Sequence, residues 1–238
     1  HERLLVKEAK REGDDFTIEA VVTLNSIDNA ASVRTIASRW NGGKETLESF
    51  GWSLGVTGMK SRYKPNNLII QLVGEDENTN IGYEVVASDI RLALNTPYHL
   101  VVEVSCASKN VTFNVKDLSK PDSQLQVAVV NHDIRRRIGA GAASLVIGGL
   151  NQRTTSHQWD GSIDAFRVAL GSIPEENRFK KTSEWGSALV KWDAARPLEK
   201  NLEWAGFDGL SDSNNPWQNA MTDLCHVLLN SNEFLYLH

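Results

Sequence analysis

Cysteine is scarce in this chain: only Cys106 and Cys225 occur in 238 residues. Two cysteines are too few for a disulfide-built scaffold, and these stand too far apart for a zinc site. Each reads as a small buried hydrophobe, with a single Cys106–Cys225 disulfide left to geometry. Basic residues are also in deficit, 25 Lys and Arg against 30 Asp and Glu, for a net charge of -5. That balance disfavours a general nucleic-acid binder, and the one dense basic run, Arg135-Arg136-Arg137, is short enough to be a solvated turn. No apolar run approaches the ~20 residues that span a bilayer, so no membrane insertion is expected. No signal peptide leads the chain, which opens at His1 rather than a methionine and so reads as a piece of a longer protein.

Catalytic motifs are equally sparse. The chain has no Gly-x-Ser-x-Gly elbow, no phosphate-cradling glycine loop and no histidine spacing suited to a metal. His99, His132, His157 and His226 are scattered, and each reads as a structural or surface residue. Glu75-Asp76-Glu77 crowds its acids into a polar loop, and Glu103 is a lone acid on a strand.

Alternation is what the sequence does have. Phe16 to Leu24 places apolar side chains at every second position, the mark of a half-buried strand. Further strands are predicted at Val33 to Arg39, Gly51 to Val56, Leu68 to Val73 and Tyr83 to Ala87. Others follow at Tyr98 to Val104, Val111 to Val115, Leu125 to Val129 and Leu145 to Ile147. The stretch Trp159 to Val168 alternates too, with Ile163, Ala165 and Arg167 on one face and Asp164, Phe166 and Val168 on the other. If the second face is buried, Asp164 needs a hydrogen bond, a counter-charge or a cation. About ten short strands separated by turn signals predict an all-β protein, a two-sheet antiparallel sandwich.

After Gly171 the pattern changes. Pro174-Glu175-Glu176 has the chemistry of a helix start, and Asn215-Pro216-Trp217-Gln218 is a clearer one. Trp217, Ala220, Met221, Leu224 and Leu228 then fall on one stripe. The chain is therefore expected to divide into a sandwich over residues 1–172 and a mostly helical C-terminal extension over residues 173–238. That extension would pack on the sandwich or on a neighbouring domain of the parent chain.

The order of these fragments resembles the laminin-G-like, concanavalin-A-like lectin and glucanase family. The resemblance rests on Phe16 to Ala20, Gly51 to Leu54, Pro97 to Val102, Leu145 to Gly148 and, at its close, Trp159 to Val168. It implies a jelly roll of two curved sheets, used to bind sugar or protein and often carrying a structural calcium. The family's catalytic strand, Glu-x-Asp-x-x-Glu, has no counterpart here. A second resemblance, over Ala220 to Tyr236, is to the end of an uncharacterised C-terminal domain in planctomycete-type cytochrome-c-containing proteins, whose parents are exported. It implies an extracytoplasmic location.

For sugar binding, loop-placed aromatics beside polar side chains are the candidates: Trp40 with Asn41, Tyr63 with Asn66 and Asn67, and Trp159 with His157 and Gln158. Burial is the alternative for both tryptophans. For calcium the resemblance points to Asp164, with Asp160 nearby; the alternative is that Asp164 accepts backbone N–H groups. The expected function is a non-catalytic module that recognises carbohydrate or protein within a larger exported protein. A structural interdomain module and a diverged glycoside hydrolase or lyase are the other readings.

Overall fold

The computed structural model describes residues 3–7, 10–151 and 157–205. Alternating apolar positions become strands throughout: β1 (Arg3–Val6), β2 (Asp15–Leu24), β3 (Arg34–Arg39), β4 (Gly51–Val56), β5 (Asn67–Glu75), β6 (Ile81–Arg91) and β7 (Pro97–Ser105). They continue with β8 (Asn110–Asp117), β9 (Gln126–Asn131), β10 (Leu145–Ile147), β11 (Gly161–Leu170), β12 (Val190–Asp193) and β13 (Leu202–Ala205). Every pairing of these strands is antiparallel. One sheet has seven strands in the order β13-β1-β10-β3-β4-β5-β6, and the other has six in the order β12-β11-β2-β7-β8-β9.

The two inner faces make the core. Phe16, Ile18 and Val22 of β2, with Val102 and Phe113 beside them, face Trp52, Leu54, Ile70 and Leu72 of the other sheet. Phe16 and Trp52 meet with ring centroids 5.5 Å apart. Each such side chain contributes about 1.5–3 kcal/mol by leaving water, which makes this layer the main stabilising element. Cys106 joins it as a buried free thiol, and desolvation pushes its pKa up to about 12. Its possible partner, Cys225, lies outside the described residues.

The expected facing of β11 needs correction. A register shift between Ile163 and Ala165 marks a β-bulge, so Ile163 pairs with Val22 and Ala165 with the adjacent Val21. The extra residue is Asp164. Ile163, Phe166 and Val168 all join the core, while Asp164 is exposed and its carboxylate stays in water. A period of two cannot be carried through an inserted residue, and that is why the sequence grouped Asp164 with Phe166 and Val168. Gly161, which opens β11, has φ +146, and a Cβ there would meet Thr23 O at 2.0 Å.

Residues 173–205 also differ from expectation. Three-residue 3-10 turns at Glu175–Asn177 and Thr182–Glu184 stand where a helix start was read, and β12 and β13 then extend both sheets. The sandwich thus runs past 172 to Ala205. The helix expected from Asn215, and the tail resemblance after it, lie outside the described residues.

The segment between β11 and β12 covers the outer face of the six-stranded sheet, where Glu19, Arg167 and His99 are buried. Glu19 has no solvent exposure and Arg167 only 2%. Glu19 Oε2 accepts from Arg167 Nε at 2.8 Å, and Glu19 Oε1 accepts from His99 Nε2 at 2.7 Å and from the Phe179 backbone N–H at 2.8 Å. Arg167 Nη2 donates to Asn177 O at 2.9 Å, and the Trp185 ring lies 4.8 Å from the guanidinium. Every charge in this cluster has a partner, as burial requires. Elsewhere the Arg135 to Arg137 run wraps an acid: Arg136 Nε and Arg137 Nη1 donate to Glu75 at 2.9 and 2.7 Å. The Arg136 hydrogen bond leads in holding the Glu75 carboxyl below its ordinary pKa.

Removing Glu19 strands a buried guanidinium. Glu19→Ala is expected to lower stability by about 3–5 kcal/mol in urea denaturation. Asp89→Asn, which breaks the exposed Lys64–Asp89 pair, should stay within about 0.5 kcal/mol of wild type. Equal losses in the two variants would contradict this account of the buried cluster.

Candidate ligand-binding groove

The outer face of the seven-stranded sheet is built differently. In β5, Ile69, Gln71 and Val73 point away from the core; opposite them in β6 stand Ala87, Val85 and Tyr83. Gly51 of β4 lies beside Val73. Its φ is +154, and a Cβ would strike Arg39 O at 1.9 Å, so only glycine allows this approach of β3 and β4. Trp40, just beyond β3, then stacks on Tyr83 with centroids 5.8 Å apart and planes 22° apart. Phe50, Val73 and Leu150 complete this small apolar cluster.

The loop after β3 is tied to that stack. Trp40 Nε1 donates to Gly43 O at 2.6 Å, and the Gly43 N–H donates to Asn41 Oδ1 at 3.0 Å. Lys44 follows directly, and its Nζ lies 4.0 Å from the centre of the Tyr83 ring, within cation–π range. The loop between β4 and β5 is equally fastened. Thr57 Oγ1 donates to Lys64 O at 2.6 Å, Asn67 Nδ2 to Tyr63 O at 2.8 Å and Asn66 Nδ2 to Leu92 O at 2.9 Å. These bonds hold Tyr63 in place. Arg62 lies along its ring, 4.7 Å from the centroid, and donates from Nη2 to the Tyr63 hydroxyl at 2.5 Å.

Between the two loops runs a groove of about 350 Å³. Val33, Ile69 and Val85 line it with apolar surface, Tyr63 and Tyr83 with aromatic rings, and Gln71, Lys44 and Arg62 with polar groups. Gln71 Nε2 donates to the Tyr83 hydroxyl at 2.7 Å, which fixes the phenol and the amide together. Burial pushes the Tyr83 phenol above its ordinary pKa, against the lowering effect of that hydrogen bond. Among the described residues no carboxylate lines the groove. Apolar ring faces beside fixed donors and acceptors form a surface suited to a pyranose, which has apolar C–H faces and hydroxyls at its rim. A larger open cleft of about 790 Å³ lies near Lys7, Lys10, Lys200 and Leu189, and no aromatic side chain among the described residues lines it.

Of the side chains expected to bind ligand, Tyr63 lines the groove. Trp40 is 3% exposed and supports Tyr83 from within, so its ring is not available to a ligand. Asn41 is exposed and shapes the Lys44 loop. His157 is half-buried, its Nδ1 3.2 Å from the carbonyl of Val33, and desolvation lowers its pKa. Trp159 is 6% exposed and belongs to the core, its Nε1 donating to Thr23 O at 3.2 Å and Ser162 O at 3.1 Å. Both tryptophans are corrections to the expected site, and the reason is that large rings beside strand ends gain more by burial than by display. Asn66 and Asn67 likewise serve the loop.

Asp164 and Asp160 do not converge on a side-chain cage. Asp164 is exposed on its bulge, and Asp160 Oδ2 accepts from Ser26 Oγ. Among the described residues no three His, Cys, Asp or Glu side chains gather as a metal site. The groove residues that sequence reasoning missed are Tyr83, Gln71, Lys44 and Arg62. Outward parity in β5 and β6 was a signal for the first two; nothing local marked the loops that meet them.

No protein-family model and no curated protein matches the chain. Solved structures do share its fold. A Bacteroides ovatus protein named for an inferred carbohydrate-binding role matches with a TM-score of 0.53 at 13% identity, over 81% of this chain and 49% of that one. Full-length tailspike protein 2 of an Escherichia coli O157:H7 bacteriophage matches with a TM-score of 0.52 at 12% identity, over 73% of this chain and 22% of the tailspike. The Ruminococcus gnavus IT-sialidase CBM40, bound to alpha2,3 sialyllactose, matches with a TM-score of 0.50 at 12% identity, over 74% of this chain and 89% of the module. This chain spans about a fifth of the tailspike. At such identities the likeness establishes the two-sheet sandwich fold alone. None of these matches supports the resemblance read in the tail.

The raised Tyr83 pKa gives a titration test. Because the folded-state value lies above the unfolded one, the group favours the fold at pH below its ordinary value. That contribution fades as the pH climbs through the folded-state value. In a spectrophotometric titration of the folded protein, the Tyr83 phenol is expected to ionise above the ordinary tyrosine value. Tyr83→Phe should remove that component, and a titration identical to wild type would contradict the assignment.

Proposed function

We propose that this chain is a carbohydrate-recognition domain that holds a saccharide in the Tyr63–Tyr83 groove without cleaving it. The observation that carries the reading is the pair of anchored tyrosines around a Gln71-bearing apolar floor. A pyranose would lay an apolar face on the Tyr63 ring and the floor of Val33, Ile69 and Val85, while Gln71 meets its hydroxyls. Two of the similar structures, the Bacteroides ovatus protein and the sialidase module, are themselves described by carbohydrate binding, which supports the reading without deciding it. Support for a non-hydrolytic role is chemical. Glycoside hydrolysis takes two carboxyl groups about 5–10 Å apart across the scissile bond, and the groove lining has none. The same lack leaves no carboxylate there to hold a divalent cation.

A glycan array followed by calorimetry tests this. Binding is expected to survive a chelator. Tyr63→Ala should weaken it by about tenfold, the equivalent of ~1.4 kcal/mol, without lowering the melting temperature much. Tyr83→Phe keeps the ring and should retain most affinity; Tyr83→Ala should not. Absence of binding to any glycan, or affinity indifferent to both tyrosines, would remove the basis for this function.

A further inference from the structure

The charge of the groove runs against that of the protein. The whole chain is acidic, with a net charge of -5, yet the groove lining holds two cations and no carboxylate. Several other arginines have acids for partners, Arg39 with Glu12, Arg136 and Arg137 with Glu75, Arg167 with Glu19 and Arg178 with Glu103, while Arg11 and Arg34 donate to backbone carbonyls. Lys44 and Arg62 form no ion pair among the described residues. What they have instead is an aromatic ring each, Lys44 over Tyr83 and Arg62 over Tyr63. Those ring contacts hold both side chains at the groove while leaving their charge uncompensated. A neutral saccharide has no use for two uncompensated cations. A carboxylate does: guanidinium N–H groups match its two oxygens, and an ammonium nearby adds a point charge.

We propose that the groove selects saccharides bearing a carboxylate over otherwise matched neutral ones, with Arg62 and Lys44 as the specificity-determining residues. The proposal rests on the reading of the groove as a saccharide site. A sugar acid would place its ring against the tyrosines and its carboxylate toward the Arg62–Lys44 side. Since both cations are near solvent, the preference is modest per residue and falls as salt rises.

Calorimetry with matched pairs tests it: oligosaccharides ending in a hexuronic acid, the same compounds as methyl esters, their neutral hexose counterparts, and a sulfated analogue. The acid is expected to bind about tenfold or more better than ester or neutral sugar in low salt, with the gap narrowing at high salt. Arg62→Gln and Lys44→Gln should each erode the gap between acid and neutral sugar by about three- to tenfold, and together abolish it. Arg62→Lys retains the charge but not the fork, and should keep part of the preference. Equal affinity for acid and neutral sugar, or a preference that survives the double variant, overturns the proposal. So does equal or better binding of the sulfated analogue, which would make the site a general anion site. Tyrosine-dependent binding of neutral sugars with no charge preference would leave the recognition function standing and remove only this inference; no saccharide binding at all would remove both.

Discussion

The meeting of two inner faces, with Phe16 against Trp52 at its centre, is the constraint from which the rest of this structure follows. A strand has only two sides, so committing one to a dry core leaves the other to find its own environment. The six-stranded and seven-stranded sheets resolve that problem differently. On the first, the outward side chains of β2, β7 and β11 include Glu19, His99 and Arg167, and the chain itself returns over them between β11 and β12. Burial of those charges is tolerable because each has a partner and because Phe179 and Asn177 supply backbone groups.

On the seven-stranded sheet the outward face stays partly open. Gly51 lets β3 and β4 come close enough for Trp40 to lie on Tyr83. Trp40 thereby acts beneath the groove rather than in it, and the loops carrying Lys44 and Tyr63 stand on either side. The same physical rule, that large apolar groups are buried and polar groups must be partnered, closes one face and leaves a shaped groove on the other. Rigidity comes from side chains that look ligand-ready in sequence: Asn41 and Asn67 hydrogen-bond their own loops, and Asn66 ties its loop to Leu92 beyond β6. A groove whose walls are already fixed has less conformational entropy to lose on binding.

The strands were legible because alternation is local. Gly51–Val56 was read with the bounds it has, and the segments at 16–24, 98–104 and 145–147 lie within strands that run at most a few residues further. Asp164 was misread because a bulge is visible only when the partner strand is known; β11 pairs with β2, some 140 residues earlier, and nothing in Trp159 to Val168 announces the slip. β12 and β13 were missed for a related reason. They are four residues each, and they are strands because β11 and β1 offer them free edges, not because their own composition demands it. Of the site, Tyr63 was legible as a loop aromatic. Tyr83 and Gln71 were visible as strand residues but not as neighbours across a groove.

The sequence by itself determined the class: period-two burial without helical stripes before residue 172 permits little but a layered β protein, since each strand must hide one face. Which aromatics are buried and which face a ligand was decided only by the tertiary structure. That choice depends on what lies on the other side of each ring, and those neighbours come from β3, β5, β6 and two loops that meet only when the sheet forms.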